Sequence, residues 1–314
     1  MFKLIARRFL TTIPLLFVIS ILAFSMVHLM PGSIAMIILD AGATEEGIAA
    51  LEAEMGLDRP LVVQYFDWLG SALQGDLGRS LFFTAPVREL ISDSWTVTAS
   101  IVLGGMVVGV TLGLFLGVVA GLRPGSVLDR VSTIGASVGV ALPAFWLAIM
   151  LALLLGVRWN IFPVIGYTRF SESPLGWLNS IALSSLAMGI PSAALIARQM
   201  RSSMANVLQS SYIRAQRAMG LSPWHIVTRH ALKNAMIPVI TVIGFRLAVV
   251  VGQAFIVENV FVLPGLGRQL ATAVQQQDVI FVQGGTIVVA AFIVFSNMFI
   301  DIIYGFLNPK VRVS

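Results

Sequence analysis

Arg246 and Asp301 are charged side chains set well inside long apolar runs. A charge in such a place faces protein or water, and it pairs or marks a pathway. Arg246 lies about eight residues beyond Pro238, and Asp301 about six before Leu307, so at about 1.5 Å per residue their depths differ by about 3 Å. The two are expected to pair or to share one aqueous cavity. A pair that only fixes packing is the alternative. Gln253 and Asn297 lie in the same two runs and join them as pathway candidates. Chemistry of other kinds has little to work with. The chain has no cysteine, which removes thiolate metal sites and a cysteine nucleophile. His225 and His230 have no carboxylate near them in sequence to complete a metal set, and His28 reads as an interfacial side chain rather than a proton relay. Ser132, Ser137 and Ser296 are scattered among apolar residues, where such groups bond neighbouring helices. The G-x-x-x-x-G-K-[ST] and H-E-x-x-H patterns do not occur, so the chain carries no phosphate cradle of its own. An enzyme is the weaker class.

The elements that must position these residues follow from composition. Of the 314 residues, 57% are hydrophobic and 11% charged, against about 25% charged in soluble domains. An all-α membrane protein is expected. Six runs have the roughly 20 apolar residues a membrane helix needs: Phe9–Met30, Val97–Gly121, Val131–Gly156, Leu178–Ala197, Met236–Val257 and Gly284–Leu307. The first follows Lys3, Arg7 and Arg8, exceeds a signal-peptide core in length and lacks a cleavage site, so it reads as a retained helix. With the N-terminus inside, thirteen lysines and arginines fall in inside segments and six outside. That bias places both termini in the cytoplasm. Gly105, Gly109, Gly113, Gly117 and Gly121 recur every four residues in the second run. This spacing allows close helix packing in lipid, or a helix that slides.

Three parts emerge: residues 1–30 with the first span, an outer segment 31–95, and a core 96–314. Glu45 to Met55 and Leu61 to Leu73 read as helices, with a turn at Gly75-Asp76-Leu77-Gly78, so the outer segment is a small helical cap. The loops 157–177 and Glu258 to Gln283 carry turn signals, among them Pro264-Gly265-Leu266-Gly267.

The basic segment Arg198–Pro238 stands out on the inside. Arg198 and Arg201 mark the exit of the fourth span. Residues 203–219 have helical patterning, Gly220 is placed to end that helix in the left-handed region, and Ser222-Pro223 is an N-cap with proline at the first position. A second helix is expected from Pro223 to about Asn234. The segment is a helix–glycine–helix hairpin. It either rests on anionic lipid through its arginines or docks a partner. The small residues Ala215, Ala218 and Gly220 at the bend favour docking.

This hairpin, residues 198–235, resembles the EAA loop of bacterial ABC importer permeases, in the dipeptide/oligopeptide/nickel branch. Arg214-Ala215-Gln216 stands where the family has a Glu-Ala-Ala-like triplet, with Gly220 as its glycine. Arg229-His230-Ala231-Leu232-Lys233-Asn234-Ala235 with Ile237-Pro238 is similar to the branch's longer ending. Arg59-Pro60, Gln64-Tyr65, Gly75 to Ser80, Pro143-Ala144-Phe145-Trp146, Glu258 to Phe261, Pro264 to Gly267, Asp301 to Tyr304 and Asn308-Pro309 resemble further landmarks. The chain departs from the family at Arg214, at Gln216, at Ser33 after Pro31-Gly32, where an aspartate is usual, and at Arg246.

The resemblance implies the fold of a type I importer permease with six spans, in the bacterial cytoplasmic membrane. It implies pairing with a second permease, two cytoplasmic ATPases that bring ATP and magnesium, and an extracytoplasmic binding protein, with no cofactor on this chain and no nucleic-acid partner. Tyr212, Arg214, Ala215, Gln216, Ala218, Gly220, Leu221 and Ser222 would then form the ATPase-coupling surface. Short peptides are the implied cargo, with nickel or another small solute as the alternative. The rival class is a channel or secondary carrier that works without an ATPase.

Overall fold

The computed structural model describes residues 2–28, 34–39 and 44–307. Pro31-Gly32-Ser33 and Asn308-Pro309 lie outside the described residues, as does the side chain of Asp301. Helices dominate: α1 Phe2–His28, α2 Ile34–Leu39, α3 Glu45–Met55, α4 Leu61–Leu73, α5 Val87–Leu122, α6 Val127–Ala141, α7 Ala144–Leu151, α8 Pro174–Leu208, α9 Ser211–Ala218, α10 Pro223–His225, α11 Leu232–Val260, α12 Leu266–Gln275 and α13 Val279–Leu307. Among the described residues, four helices are long and apolar enough to cross a membrane: Val87–Leu122, Pro174–Leu208, Pro223–Val260 and Val279–Ile300. A bent pair, Val127–Ala141 with Ala144–Arg158, makes up to five, and Leu10–Met26 is a shorter apolar helix.

Four expectations about continuity are corrected. The third run is not one straight helix. It turns by 101° between α6 and α7, because Leu142 precedes Pro143 and takes extended angles (ψ 122°), as the proline ring requires. The helix of the fourth run continues past Arg198 to Leu208. Residues 203–219 are two helices, α8 and α9, parted at Gln209-Ser210. The second arm does not stop near Asn234. A π-helical turn at Ile226–Ala231 joins α10 to α11, giving one helix from Pro223 to Val260. The outer loop read as turns holds a helix, α12.

One compact unit is built on Thr96–Arg268. Its centre is α8, the most buried of the four long helices. The glycine ridge of α5 lies on α8: a Cβ added at Gly109 would stand 2.8 Å from Ser192 Cβ, and one at Gly117 would stand 2.6 Å from Met200 Cβ. Only hydrogen fits there, which bears out the close-packing reading of the four-residue spacing. Asp129 at the start of α6 accepts from Arg201 of α8 through both carboxylate oxygens, with Nη2 to Oδ2 at 2.7 Å. It also takes the Gly125 amide at 2.8 Å, which closes the turn before α6.

The other unit is built on Phe9–Trp95 and Gln269–Val294. Tyr65 of α4 is buried, bonds Ser20 of α1 at 2.7 Å and meets Phe17 and Phe24 edge-on. Asp278, the residue before α13, caps it through the Phe281 amide (3.1 Å). The same carboxylate binds Ser80 and the amides of Leu81 and Phe82, pinning the 80–83 turn. His28 is exposed, between the Phe24 carbonyl and Gln64 Oε1 (3.1 Å).

Candidate functional site

The hairpin forms as its residues dictate. α9 ends in a Schellman motif: Gly220 sits at φ +81°, its amide reaches the Arg217 carbonyl (3.0 Å), and the Leu221 amide reaches back to Gln216 (3.2 Å). Ser222 then caps the next helix by accepting from the His225 amide, with Pro223 at the first helical position. Tyr212 ties the two arms together, its hydroxyl accepting from Asn234 Nδ2 at 2.9 Å.

The underside of the hairpin is anchored in the protein. Ile213 and Ile226 are fully buried in one cluster with Ile196, Met200 and Met204 of α8 and with Ala231, Ala235 and Val239 along the other arm. Displacing the hairpin without moving α8 and α11 would expose those side chains, at about 1.5–3 kcal/mol for each large one. The hairpin and the two helices therefore move as one body.

The outer surface is the opposite in character. Arg214, Ala215, Ala218, Gly220, Leu221 and Ser222 are exposed, as the sequence led us to expect, and Tyr212 is 39% exposed. Gln216 departs from them: it turns inward, half-buried, and its Oε1 is buried without a hydrogen-bond partner. Two large exposed residues were missed, Met219 (71%) and Trp224 (77%). Trp224 follows an N-cap and lies among basic residues, a signal that could have found it. With Arg217, Leu208 and Arg123, Trp224 borders a cleft of about 330 Å³. Between Arg198 and Pro238 there is no carboxylate, so the surface is cationic, with aromatic and small residues between the charges.

Of the pathway candidates, Arg246 is buried within the chain and donates to Ser192 Oγ from Nη2 (3.0 Å) and Nε (3.3 Å). Its described partner is thus a hydroxyl on α8, at the level of Gly109. The pairing with Asp301 lies outside the described side chains. Gln253 is half-buried, with Oε1 unpartnered, whereas Asn297 is exposed. Among the described residues no histidine–carboxylate group could hold a metal.

A polar cluster that the sequence reading left inside a loop sits at the far end of α11. Glu258 is fully buried. Its Oε1 accepts from the Thr98 hydroxyl (2.6 Å) and its Oε2 from the Arg268 amide (3.0 Å). Thr98 Oγ1 in turn accepts the Leu266 amide at 2.8 Å. A Cβ on Gly265 would collide with this carboxylate. The Pro264–Gly267 turn and the start of α12 are thereby fastened to α5 and α11.

Residues 109–313 match the family model for the binding-protein-dependent transport system inner membrane component, and residues 1–102 match that of its N-terminal part. The chain is 36% identical to a putative peptide transport system permease protein of Brucella abortus, over 99% of both chains. It is 35% identical to the dipeptide transport system permease protein DppB of Escherichia coli, over 99% of both. It is 33% identical to a probable peptide ABC transporter permease protein of Sinorhizobium fredii, over 98% of both.

Proposed function

Because the chain belongs to the family of binding-protein-dependent transport system inner membrane components, we propose that it is the membrane-spanning permease subunit of an ATP-binding-cassette importer and that its cargo is short peptides. The carrying observation is the hairpin: a cationic, aromatic outer face, open space above Gly220, and an underside locked to two long apolar helices. Such a surface receives force from a separate chain and passes it into the spans. Full-length relatives named for peptide and dipeptide transport support the cargo.

In this reading six spans cross the bacterial inner membrane, with Leu10–Met26 of α1 and the bent α6–α7 pair among them and both termini in the cytoplasm. Two cytoplasmic ATPases seat the hairpin through Arg214, Ala215, Ala218, Gly220, Leu221 and Ser222, and they hold the ATP and magnesium. A second permease completes the pathway, and an extracytoplasmic binding protein delivers the peptide. Gln253, Asn297 and Asp301 line that pathway in this reading, and Arg246, buried against Ser192 of α8, sits behind the lining. Gln216 packs beneath the docking face rather than touching the ATPase.

The test is transport by the full complex in proteoliposomes, with labelled di- and tripeptides outside the binding-protein face and ATP on the hairpin face. ATP-dependent accumulation that unlabelled dipeptide competes away is expected. Nickel accumulation indifferent to peptide would move the cargo to nickel. Solute movement by this chain alone, without ATP, would overturn the class.

A further inference from the structure

A cleft of about 880 Å³ lies wholly within the unit built on Phe9–Trp95 and Gln269–Val294. That is within the range of about 300–1,000 Å³ that ligand pockets occupy. Leu16 and Phe17 of α1, Leu69 of α4, Trp95 of α5 and Ile287 of α13 are among its walls. Among the described residues of the lining, Arg88 is the one charged side chain and there is no carboxylate. Its guanidinium lies over the backbone of Gly75 (φ +86°), where an added Cβ would stand 3.5 Å from Nη1. Arg88 precedes Trp95 by seven residues on α5, about 10 Å along the helix axis. The cleft therefore has a cationic mouth and an apolar interior.

The neighbouring helix fixes the level of that mouth. α4 buries Tyr65 and exposes Val62 (66%), Phe66 (58%) and Leu73 (81%). At about 100° per residue these three fall within an arc of about 40°, with Leu61 and Val63 also exposed on either side of it. An exposed apolar stripe on a short helix beside the ends of membrane spans lies in the headgroup boundary, the layer where tryptophans such as Trp68 at the cleft also gather.

We propose that this cleft seats an anionic phospholipid, with its phosphate on Arg88 and one acyl chain between α1, α5 and α13. A zwitterionic peptide would bring an ammonium into a lining with no carboxylate, at a desolvation cost. A planar guanidinium matches a phosphate through paired hydrogen bonds. The acyl chain moves from one apolar medium to another and gains little by the transfer. Selection must then come from the headgroup, not from chain length. The inference needs only that the chain spans a membrane, and it stands apart from the cargo assigned above.

The full chain, extracted with its complex from bilayers of equal phosphatidylglycerol and phosphatidylcholine, would be examined by native mass spectrometry. Retention of phosphatidylglycerol over phosphatidylcholine by about fivefold is expected from one basic residue at the surface. Arg88→Gln should bring that ratio to about one, and Ala72→Trp, which fills the cleft from α4, should lower retention of both lipids. Thermal unfolding of each variant checks that it folds. If Ala72→Trp does not fold, Ala291→Leu from the α13 wall takes its place. A ratio of one in the unaltered protein, or an unchanged ratio in Arg88→Gln, would overturn the proposal. So would a photoreactive phenylalanine at Leu69 that couples to the second permease instead of lipid.

Discussion

Replacing Gly220 separates backbone strain from steric obstruction. Gly220 holds φ +81°, and a Cβ built there meets nothing within 4 Å. Alanine and tryptophan at this position therefore carry the same strain, about 1–2 kcal/mol for a left-handed L-residue. That lowers the folded-to-unfolded ratio by a factor of about 5–30 from a stability of about 5–15 kcal/mol, so both variants stay folded in the membrane. They differ only in what extends outward. On the proposed docking, the indole of Gly220→Trp stands where the ATPase closes, and overpacking a fitted contact by about 1–3 kcal/mol weakens it by about 5- to 150-fold. Gly220→Ala adds no such bulk. The assay is peptide imported per ATP hydrolysed in proteoliposomes holding the complete importer. Gly220→Trp should uncouple hydrolysis from uptake while Gly220→Ala keeps most of the coupling. Normal coupling in Gly220→Trp would refute the docking assignment. Equal loss in both variants would trace the effect to the backbone and refute the steric argument.

Three further outcomes follow from the packing. Gly117→Ala places a Cβ 2.7 Å from the Ala197 carbonyl and should destabilise by about 1–3 kcal/mol, whereas Gly135→Ala, with open space around it, should stabilise by about 0.4–1 kcal/mol. Thermal unfolding in detergent reads the opposite signs. Asp129→Ala strands Arg201, whose side chain is 34% exposed, so the loss should lie near the lower end of the roughly 3–5 kcal/mol for a broken buried pair. The double variant Asp129→Ala, Arg201→Ala should recover part of it, as a double-mutant cycle would measure. Glu258→Gln removes the carboxylate that accepts from the Thr98 hydroxyl and the Arg268 amide together, costing about 1–3 kcal/mol. Hydrogen exchange at Leu266–Arg268 should accelerate, and unchanged protection there would refute the latch.

Much of the architecture was legible because it is written locally. The bounds of α3 and α4, the turn at Gly75–Gly78, the left-handed Gly220 and the Ser222-Pro223 cap each depend on a few adjacent residues. The glycine ridge was legible as packing, since a repeat every four residues on an apolar helix has few other uses. What escaped was set by neighbours distant in sequence. Arg201 becomes the partner of Asp129 only once α6 lies on α8. Glu258 looked like part of a turn, because Thr98 is 160 positions away. The join at Ile226–Ala231 was hidden too: its π-helical geometry shifts the apolar period, so a helix ending near Asn234 and a separate span from Met236 were read where one helix runs.

That single helix has a mechanical meaning. Pro223–Val260 has 38 residues, about 57 Å at the α-helical rise. Trp224 stands near one tip and Glu258 near the other. The span between them is set by peptide geometry, not by packing that could slip. An axial displacement at the tryptophan would reach the carboxylate along one continuous helix that carries Pro238 in its interior. The Glu258 latch to Thr98 and Arg268 is the load at the far end of that rod. On the proposed docking, its strength would set how much work a push at the hairpin must deliver before the Pro264–Gly267 turn lets go.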